Sequence, residues 1–249
     1  MSSLLDQLII HSFVDDEMLS LNVQRRKILK SSGHFVHSLQ ELRSKVAELG
    51  FFNSQEVFLF KGQSVDDKNS QGLSSLRPSI FQPVVERGPS PVRLVKRMGT
   101  LREAEGYLFD LYKRENFPNL SEIGHHRLRR WAILEHYGVC RTPLLEVTKS
   151  LRMAASQATD LASERGYVYV LGVPAIAGAM TVDAKGELSI IRLSSVCPPP
   201  LINDATLHTF MLAEHHHLSD YEVNSTAMNF DVNFKHRVYA KFTFNPIEF

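Results

Sequence analysis

Apolar residues recur at nearly helical spacing through the first fifty positions of the chain. Within residues 4–13 and again within residues 28–49 they stand mostly three, four or seven positions apart, which predicts amphipathic helices. Gly50 follows the second run, as glycine often does just past a helix end. We therefore expect residues 1–50 to form a helical N-terminal extension. It would pack on the rest of the chain or mediate self-association into a homo-oligomer.

The next hundred residues are predicted to hold one strand and a long helical block. Glu56–Phe60 is rich in β-forming residues, which predicts a strand. Residues 77–91 contain four prolines and are expected to form an extended connection. From residue 100 to residue 165 the apolar positions return to helical spacing. This block is predicted to be helical, with Thr148 and Ser150 in mid-helix.

The last third of the chain is predicted to supply most of a sheet. Alternating and β-branched residues predict further strands at Tyr167–Leu171, Met180–Val182, Leu188–Leu193 and Val238–Phe244. Asp183–Gly186 suits the turn of a hairpin between the second and third of these, and residues 205–217 resemble a helix. This order predicts a single α+β domain over residues 51–249, with a mixed or antiparallel sheet flanked by helices.

Composition narrows the functional classes. Lys and Arg number 28 against 27 Asp and Glu, so a net charge of +1 argues against binding polyanions by bulk charge alone. Cys140 and Cys197 are too few for a disulfide scaffold or a four-cysteine metal site. No stretch approaches the ~20 apolar residues of a membrane helix, and no basic segment precedes the apolar N-terminal residues. We expect a cytoplasmic protein without membrane association.

Three motifs follow one another in an order that resembles the FRG domain family, named for a Phe-Arg-Gly motif that ends an early strand. They are Phe60–Ser64 (FKGQS) with Leu76–Phe81 (LRPSIF), a helix near Arg102–Phe109 ahead of Trp131, and Leu134–Gly138 (LEHYG) with Thr142–Ser150 (TPLLEVTKS). Each motif is short, but together they span residues 56–172. The resemblance implies an accessory protein of a bacterium, archaeon or phage, often with a toxin or defence function.

The chain departs from the family pattern at several motif positions. Lys61 stands where the family has arginine, and Glu135 stands where glutamine is common. Glu146 and Val147 replace the usual Asp-Trp pair, and Cys140-Arg141 replaces a proline with one residue inserted. The sequence therefore resembles a divergent member of the family.

The layout of the motifs is similar to that of ADP-ribosyltransferases, in which a strand-end Arg-Gly, a Ser/Thr segment and a later glutamate hold NAD. That chemistry needs a pyrophosphate clamp, a ring that stacks on nicotinamide, and a carboxylate that holds the ribose. The resemblance implies an NAD-dependent enzyme or toxin that modifies a protein or nucleic acid acceptor. The predicted catalytic residues are Lys61, His136, Thr148 and Glu214, and the predicted cofactor contacts are Gly62, Gln63, Ser64, Tyr137 and Ser150. Glu222 and Glu248 are the alternatives for the carboxylate.

Each of these residues also has an ordinary structural interpretation. Lys61 fits a solvated lysine at a strand end, and His136 fits a histidine that ties a helix end to a loop. Thr148 and Ser150 fit hydroxyls that bond to backbone carbonyls within a helix. Tyr137 fits a core position.

A non-catalytic binding module is the second hypothesis. Residues 125–193 imitate a winged helix, with helices at Arg127–Tyr137, Leu144–Leu151 and Ala154–Arg165 followed by strands. Such a module would bind nucleic acid or a protein partner.

Two histidine clusters raise the question of a metal site. Consecutive histidines on a helix point about 100° apart, so His125-His126 and His215–His217 do not match the i, i+4 spacing of helical metal ligands. We expect no metal cofactor.

Overall fold

The computed structural model describes residues 9–14, 20–82, 91–160, 162, 164–214 and 234–249. Over these residues the chain is an α+β protein with seven α-helices and an eight-stranded mixed, mostly antiparallel sheet, which confirms the predicted fold class. In chain order the elements are β1 (Ile9–Ser12), β2 (Ser20–Gln24), α1 (Arg25–Lys30), β3 (His34–Phe35), α2 (Leu39–Phe52), β4 (Val57–Gln63), α3 (Pro91–Arg114), α4 (Leu120–His125), α5 (Arg127–His136), β5 (Leu145–Thr148), α6 (Leu151–Thr159), β6 (Gly166–Val173), β7 (Met180–Val182), β8 (Leu188–Arg192), α7 (Asp204–His208), β9 (Thr209–Glu214) and β10 (Val238–Phe244).

The chain divides into two compact units that interleave along the sequence. Unit 1 comprises Met1–Leu76, Val147–Ala175 and Asn233–Phe249, and unit 2 comprises Arg77–Glu146 and Ile176–Val232. The predicted division into an N-terminal extension over residues 1–50 and a domain over residues 51–249 stays a prediction.

In unit 1, strand β10 lies between β3 and β6, and β4 lies on the other side of β6. The β4–β6 ladder is antiparallel and runs from Val57 opposite Val173 to Gln63 opposite Tyr167. Strand β10 is antiparallel to β6 and parallel to β3. Strands β6 and β10 are almost wholly buried, as expected for interior strands rich in apolar residues.

In unit 2, β7, β8 and β9 form an antiparallel run, and α3, α4 and α5 supply a helical core. The predicted β7–β8 hairpin is confirmed. Gly186 adopts a φ of 69°, and its amide donates to the carbonyl oxygen of Asp183 at 2.9 Å, which closes the turn. Trp131 is buried among the apolar residues of this core.

Three helical predictions were wrong in part. Ile9–Ser12 and Ser20–Gln24 pair as strands, so long-range pairing overrides the helical spacing of this region. Residues 142–150 are not helical, because Pro143 interrupts the block and β5 and then a new helix follow it. The helix expected over residues 205–217 ends at His208, and Thr209–Glu214 is a strand. Residues 215–217 lie outside the described part of the chain.

Candidate functional site

Gly62 lies directly beneath helix α6. A Cβ atom at this position would fall 2.0 Å from the carbonyl oxygen of Ala154 and 2.9 Å from the amide nitrogen of Ala158. Only a glycine lets the helix backbone approach β4 so closely. The contact gives Gly62 a packing role, and its predicted cofactor contact stays a prediction.

Lys61 and Gln63 lie on the opposite face of β4 from Gly62, because successive strand residues alternate. They stand opposite Tyr169 and Tyr167 of β6, respectively. The half-buried Lys61 forms no ion pair or hydrogen bond with any residue that the structure describes. The Gln63 Oε1 atom is buried without a hydrogen-bond donor among those residues.

Thr148 and Ser150 lie at the start of α6 rather than in the middle of a helix. Thr148 is the last residue of β5 and pairs with Phe60 of β4, so this segment lies beside the predicted Lys61–Ser64 group. The Thr148 Oγ1 atom accepts a hydrogen bond from the Ser150 amide at 3.0 Å. The Ser150 Oγ atom in turn accepts from the Met153 amide at 3.3 Å, which caps the helix. Both hydroxyls therefore stabilise the helix start.

A cavity of about 320 Å³ opens in unit 1, just past the end of β4. Of the predicted site residues, Ser64 lines this cavity, and the sequence did not predict the other lining residues. The lining residues are Ser32, Ser64, Val65, Asp66, Lys68, Glu164, Arg165 and Tyr167. Most of them are polar, and two carry positive charge. Burial, together with Asp66 and Glu164, raises the pKa of Tyr167, while Arg165 opposes this shift, so the ring stays neutral.

Asp66 links this cavity to a buried polar cluster, which consists of Asp66, Lys241, Tyr169, Ser31 and Ser74. Lys241 is completely buried, and its Nζ atom donates to Asp66 Oδ2 and Ser74 Oγ, each at 2.9 Å, and to the Ser31 carbonyl oxygen. The Tyr169 hydroxyl donates to Asp66 Oδ1 at 2.6 Å. Burial and the negative charge of Asp66 hold the pKa of Tyr169 well above its ordinary value. The Asp66 carboxylate is therefore fixed by two buried donors.

Sequence reasoning missed this cluster because its members are far apart in the chain. Asp66 follows β4 in a polar loop, and Lys241 stands in an apolar strand, where alternation alone suggests an ordinary polar position. One usable signal existed: Lys241 occupies the middle of the strongly apolar run from Val238 to Phe244. A lysine flanked by interior residues needs a partner.

His136 and Tyr137 lie in unit 2. The His136 Nδ1 atom lies 2.9 Å from Glu146 Oε1, and the Tyr137 hydroxyl donates to the Leu201 carbonyl oxygen at 2.7 Å. The two rings contact edge to face, with 5.1 Å between their centroids. These contacts hold the end of α5 to neighbouring segments of the unit. Glu146, the family-divergent residue, thus orients the histidine.

Glu214 is buried at the end of β9, opposite Leu188 of β8. Of the alternative carboxylates, Glu248 is exposed and Glu222 lies outside the described residues. The predicted site residues thus fall into two groups: Lys61, Gly62, Gln63, Ser64, Thr148 and Ser150 in unit 1, and His136, Tyr137 and Glu214 in unit 2.

The first and third sequence motifs meet in unit 2 through Glu135. Its Oε2 atom accepts hydrogen bonds from the Ser79 hydroxyl at 2.8 Å, the Thr142 hydroxyl at 2.8 Å and the Thr142 amide at 3.1 Å. The Thr142 hydroxyl also accepts from the Leu144 amide at 3.1 Å. The motif residues therefore tie the segment around Ser79 to the end of α5, which gives these parts of the motifs a structural role.

We expect Glu135→Gln to be tolerated and to change the pH dependence of stability. Burial is the largest influence on Glu135 and, together with Glu146, raises its pKa, although the hydrogen bonds from Ser79 and Thr142 oppose the shift. A carboxyl whose folded-state pKa is raised contributes stability below its unfolded pKa and loses it as pH rises through the folded value. A glutamine oxygen can accept the same bonds. The variant should therefore gain stability relative to the native chain as pH rises, measured by urea unfolding between acidic and neutral pH.

Glu135→Ala is the matched comparison. It leaves the Ser79 and Thr142 donors without their acceptor and should cost about 1–3 kcal/mol. A difference between Glu135→Gln and the native chain that does not change with pH would contradict the raised pKa.

Three further expectations concern a metal site, a winged helix and a membrane helix. Among the described residues, no three His, Cys, Asp or Glu side chains are grouped so that they could hold a metal ion; His215–His217 lie outside those residues. Leu145–Thr148 is a strand where the winged-helix pattern requires a helix. In the part of the chain that the structure covers, no helix is long and apolar enough to cross a membrane.

The chain was compared with known protein families, curated proteins and solved structures, and it matches none of them. The resemblance to the FRG domain family stays a hypothesis carried by the sequence motifs.

Proposed function

We propose that the chain binds NAD in the cavity of unit 1 and has ADP-ribosyltransferase-like activity. One observation carries the proposal: a single cavity collects the three kinds of group that this chemistry needs. Lys68 and Arg165 can pair with a pyrophosphate, Tyr167 offers an aromatic face, and Glu164 is a carboxylate that can hold a ribose hydroxyl. Ser64 and Ser32 add hydroxyl groups beside them.

The size of the cavity favours a part of the dinucleotide rather than the whole. About 320 Å³ lies at the lower end of the ~300–1,000 Å³ typical of ligand sites, so a mononucleotide-sized group is the expected occupant. Lys68 lies 3.7 Å from Asp66, whose carboxylate is itself held by Lys241 and Tyr169. This chain of contacts would keep one cation in the lining of the cavity.

Within this proposal Glu164 would stabilise the positive charge that develops on the ribose as its bond to nicotinamide stretches. The bonding electron pair would leave with nicotinamide. A nucleophile of a protein or nucleic acid acceptor would then bond to the ribose carbon and lose its proton to solvent. Five residues of the predicted site do not line this cavity, and their roles stay predictions. Unit 1 holds Lys61, Gln63 and Thr148, and unit 2 holds His136 and Glu214.

The biological setting is also a proposal. The motif resemblance supports a toxin or a protein of bacterial or phage defence. Both cysteines are free thiols, Cys140 half-buried and Cys197 buried. Free thiols are typical of a reducing compartment, which supports a cytoplasmic location.

A non-catalytic binding module is the second candidate, favoured by a specific observation. Gly62, Thr148 and Ser150 all serve helix α6, through close packing or capping bonds. Motif residues with such contacts can persist in a scaffold without any reaction.

We expect millimolar NAD to raise the melting temperature of the protein. At a concentration of about 100 times Kd, binding adds roughly 2.7 kcal/mol, which corresponds to a shift of about 5–10 °C for a chain of this size. Arg165→Gln should weaken NAD binding by about tenfold or more, because it removes a charged phosphate partner. The Glu164→Gln variant should bind NAD but turn it over more slowly, as measured by the release of nicotinamide.

Arg152→Gln is the matched control, since Arg152 is an exposed arginine at the start of α6 and does not line the cavity. It should behave like the native chain. Equal NAD affinity in the Arg165 and Arg152 variants would contradict the cavity as the binding site. Absence of any thermal shift, with NAD intact after prolonged incubation, would contradict the function and favour the binding module.

A further inference from the structure

Two arginines of unit 2 converge on the turn formed by residues 79–82. The Arg97 Nη1 atom donates to the carbonyl oxygens of Ile80 and Gln82, the latter at 2.9 Å. The Arg141 Nη1 atom donates to the carbonyl oxygens of Ser79 at 3.2 Å and Gln82 at 3.4 Å. Because both guanidinium groups bond to the oxygen of Gln82, two positive charges lie within a few ångströms of each other.

The two arginines bring positive charge to this turn. Neither Arg97 nor Arg141 forms an ion pair with a carboxylate among the residues that the structure describes. Burial lowers the pKa of Arg97, and the like charges of Arg141 and Arg93 lower it further. The Arg97 Nη2 atom is also buried without an acceptor in the described part of the chain. Like charges held together in this way are stabilised by an anion.

We infer that Arg97 and Arg141 form a binding site for a phosphate group. Each of the two bonds to the turn through Nη1 alone. The exposed Arg141 therefore keeps Nε and Nη2 to form the fork that matches phosphate oxygens, and the half-buried Arg97 adds a second positive charge beside it. Arg141 is exposed, so an anion can reach it from solvent. The site lies in unit 2 and shares no residue with the proposed NAD cavity. It therefore goes beyond the proposed function.

The phosphate could belong to a free small molecule or to the backbone of a nucleic acid. Both present the same tetrahedral oxyanion, and both bind guanidinium groups in the same way. A purely structural role, in which the arginines only hold the carbonyl oxygens of the turn, is the competing explanation. The two explanations differ in what added phosphate does.

The first experiment measures binding of inorganic phosphate to the full chain by calorimetry, at a few millimolar and at constant ionic strength set with chloride. We expect saturable phosphate binding that includes a component whose affinity falls at least tenfold in Arg141→Gln. Arg43→Gln removes one exposed charge from α2 in unit 1 and should leave phosphate affinity unchanged. Arg97→Lys keeps the second positive charge, so it should retain more phosphate affinity than Arg141→Gln.

Failure to bind phosphate, or equal affinity in the Arg141→Gln and Arg43→Gln variants, would overturn the inference in favour of the structural role. Circular dichroism of each variant checks that the fold is retained. The Arg165→Gln variant removes a cation from the NAD cavity, so the component of phosphate binding that depends on Arg141 should persist in it. Failure of the NAD proposal and failure of this site are therefore distinguishable.

The second experiment identifies the source of the phosphate. It measures the anisotropy of a labelled single-stranded oligothymidylate at several salt concentrations. If nucleic acid is the ligand, affinity falls with salt, and Arg141→Gln weakens binding and reduces the salt slope by about 0.7 for the lost phosphate contact. If a small molecule is the ligand, inorganic phosphate binds but Arg141→Gln leaves oligonucleotide affinity unchanged.

Discussion

Replacing Gly62 with alanine is expected to destabilise the protein by at least about 3 kcal/mol, at the upper end of the usual cost of overpacking a core. The new methyl group would meet the Ala154 carbonyl oxygen at 2.0 Å, a backbone atom that cannot rotate away. Helix α6 would have to move off β4. Thermal unfolding should show a melting temperature lower by roughly 6–12 °C.

The control substitution is Gly106→Ala, in the interior of α3. A Cβ atom there meets nothing within 4 Å, so the change should be neutral or stabilise the protein by up to about 1 kcal/mol. If Gly62→Ala proved as stable as Gly106→Ala, α6 could not lie as close to β4 as the structure places it.

Lys241→Met is the second substitution with a large expected effect. It preserves most of the side-chain volume but leaves Asp66 with the Tyr169 hydroxyl and the more distant Lys68 as its remaining partners. Removing one member of a buried ion pair typically costs about 3–5 kcal/mol, because the other charge stays in a poorly solvated site. Urea unfolding monitored by circular dichroism should show this loss as a lower midpoint.

The double variant Lys241→Met with Asp66→Asn tests the cause of that loss. Neutralising Asp66 removes the unpaired charge, so the double variant should be more stable than Lys241→Met alone. Additive destabilisation by the two changes would contradict the coupling between the charges. Lys68→Met, which removes an exposed partner of the same carboxylate, should cost less than about 1 kcal/mol.

The fold class could be predicted because the strongest patterns were local. The apolar strand at β4, the hairpin with Gly186 and the alternating run of β10 each depend on neighbouring residues. The secondary structure of the segment from Thr142 to Ser150 was harder to predict. Its leucines and valine fit a helix face as well as a strand, and pairing of Thr148 with Phe60 decided the outcome.

The site could be predicted only in part, because several of its residues lie far apart in the sequence. Ser64 follows a recognisable strand end and does line the cavity, whereas Glu164, Arg165 and Tyr167 come from a segment about a hundred residues later. The contacts of Gly62 with α6 and of Asp66 with Lys241 join residues that no local pattern connects. The sequence pointed to the hydroxyls of Thr148 and Ser150 but placed them in mid-helix. Their hydrogen bonds depend on where α6 begins.

The position of β10 between β3 and β6 has a consequence for how the protein is made. At about 5–20 residues per second, the roughly 65 residues between Val173 and Val238 take a ribosome several seconds to add. Throughout that interval β6 has an open hydrogen-bonding edge on the side that β10 later covers, and other chains can pair with it. These strand pairings therefore form only after β10 has been translated, and a chain that stalls before Val238 should be a substrate for chaperones and proteases.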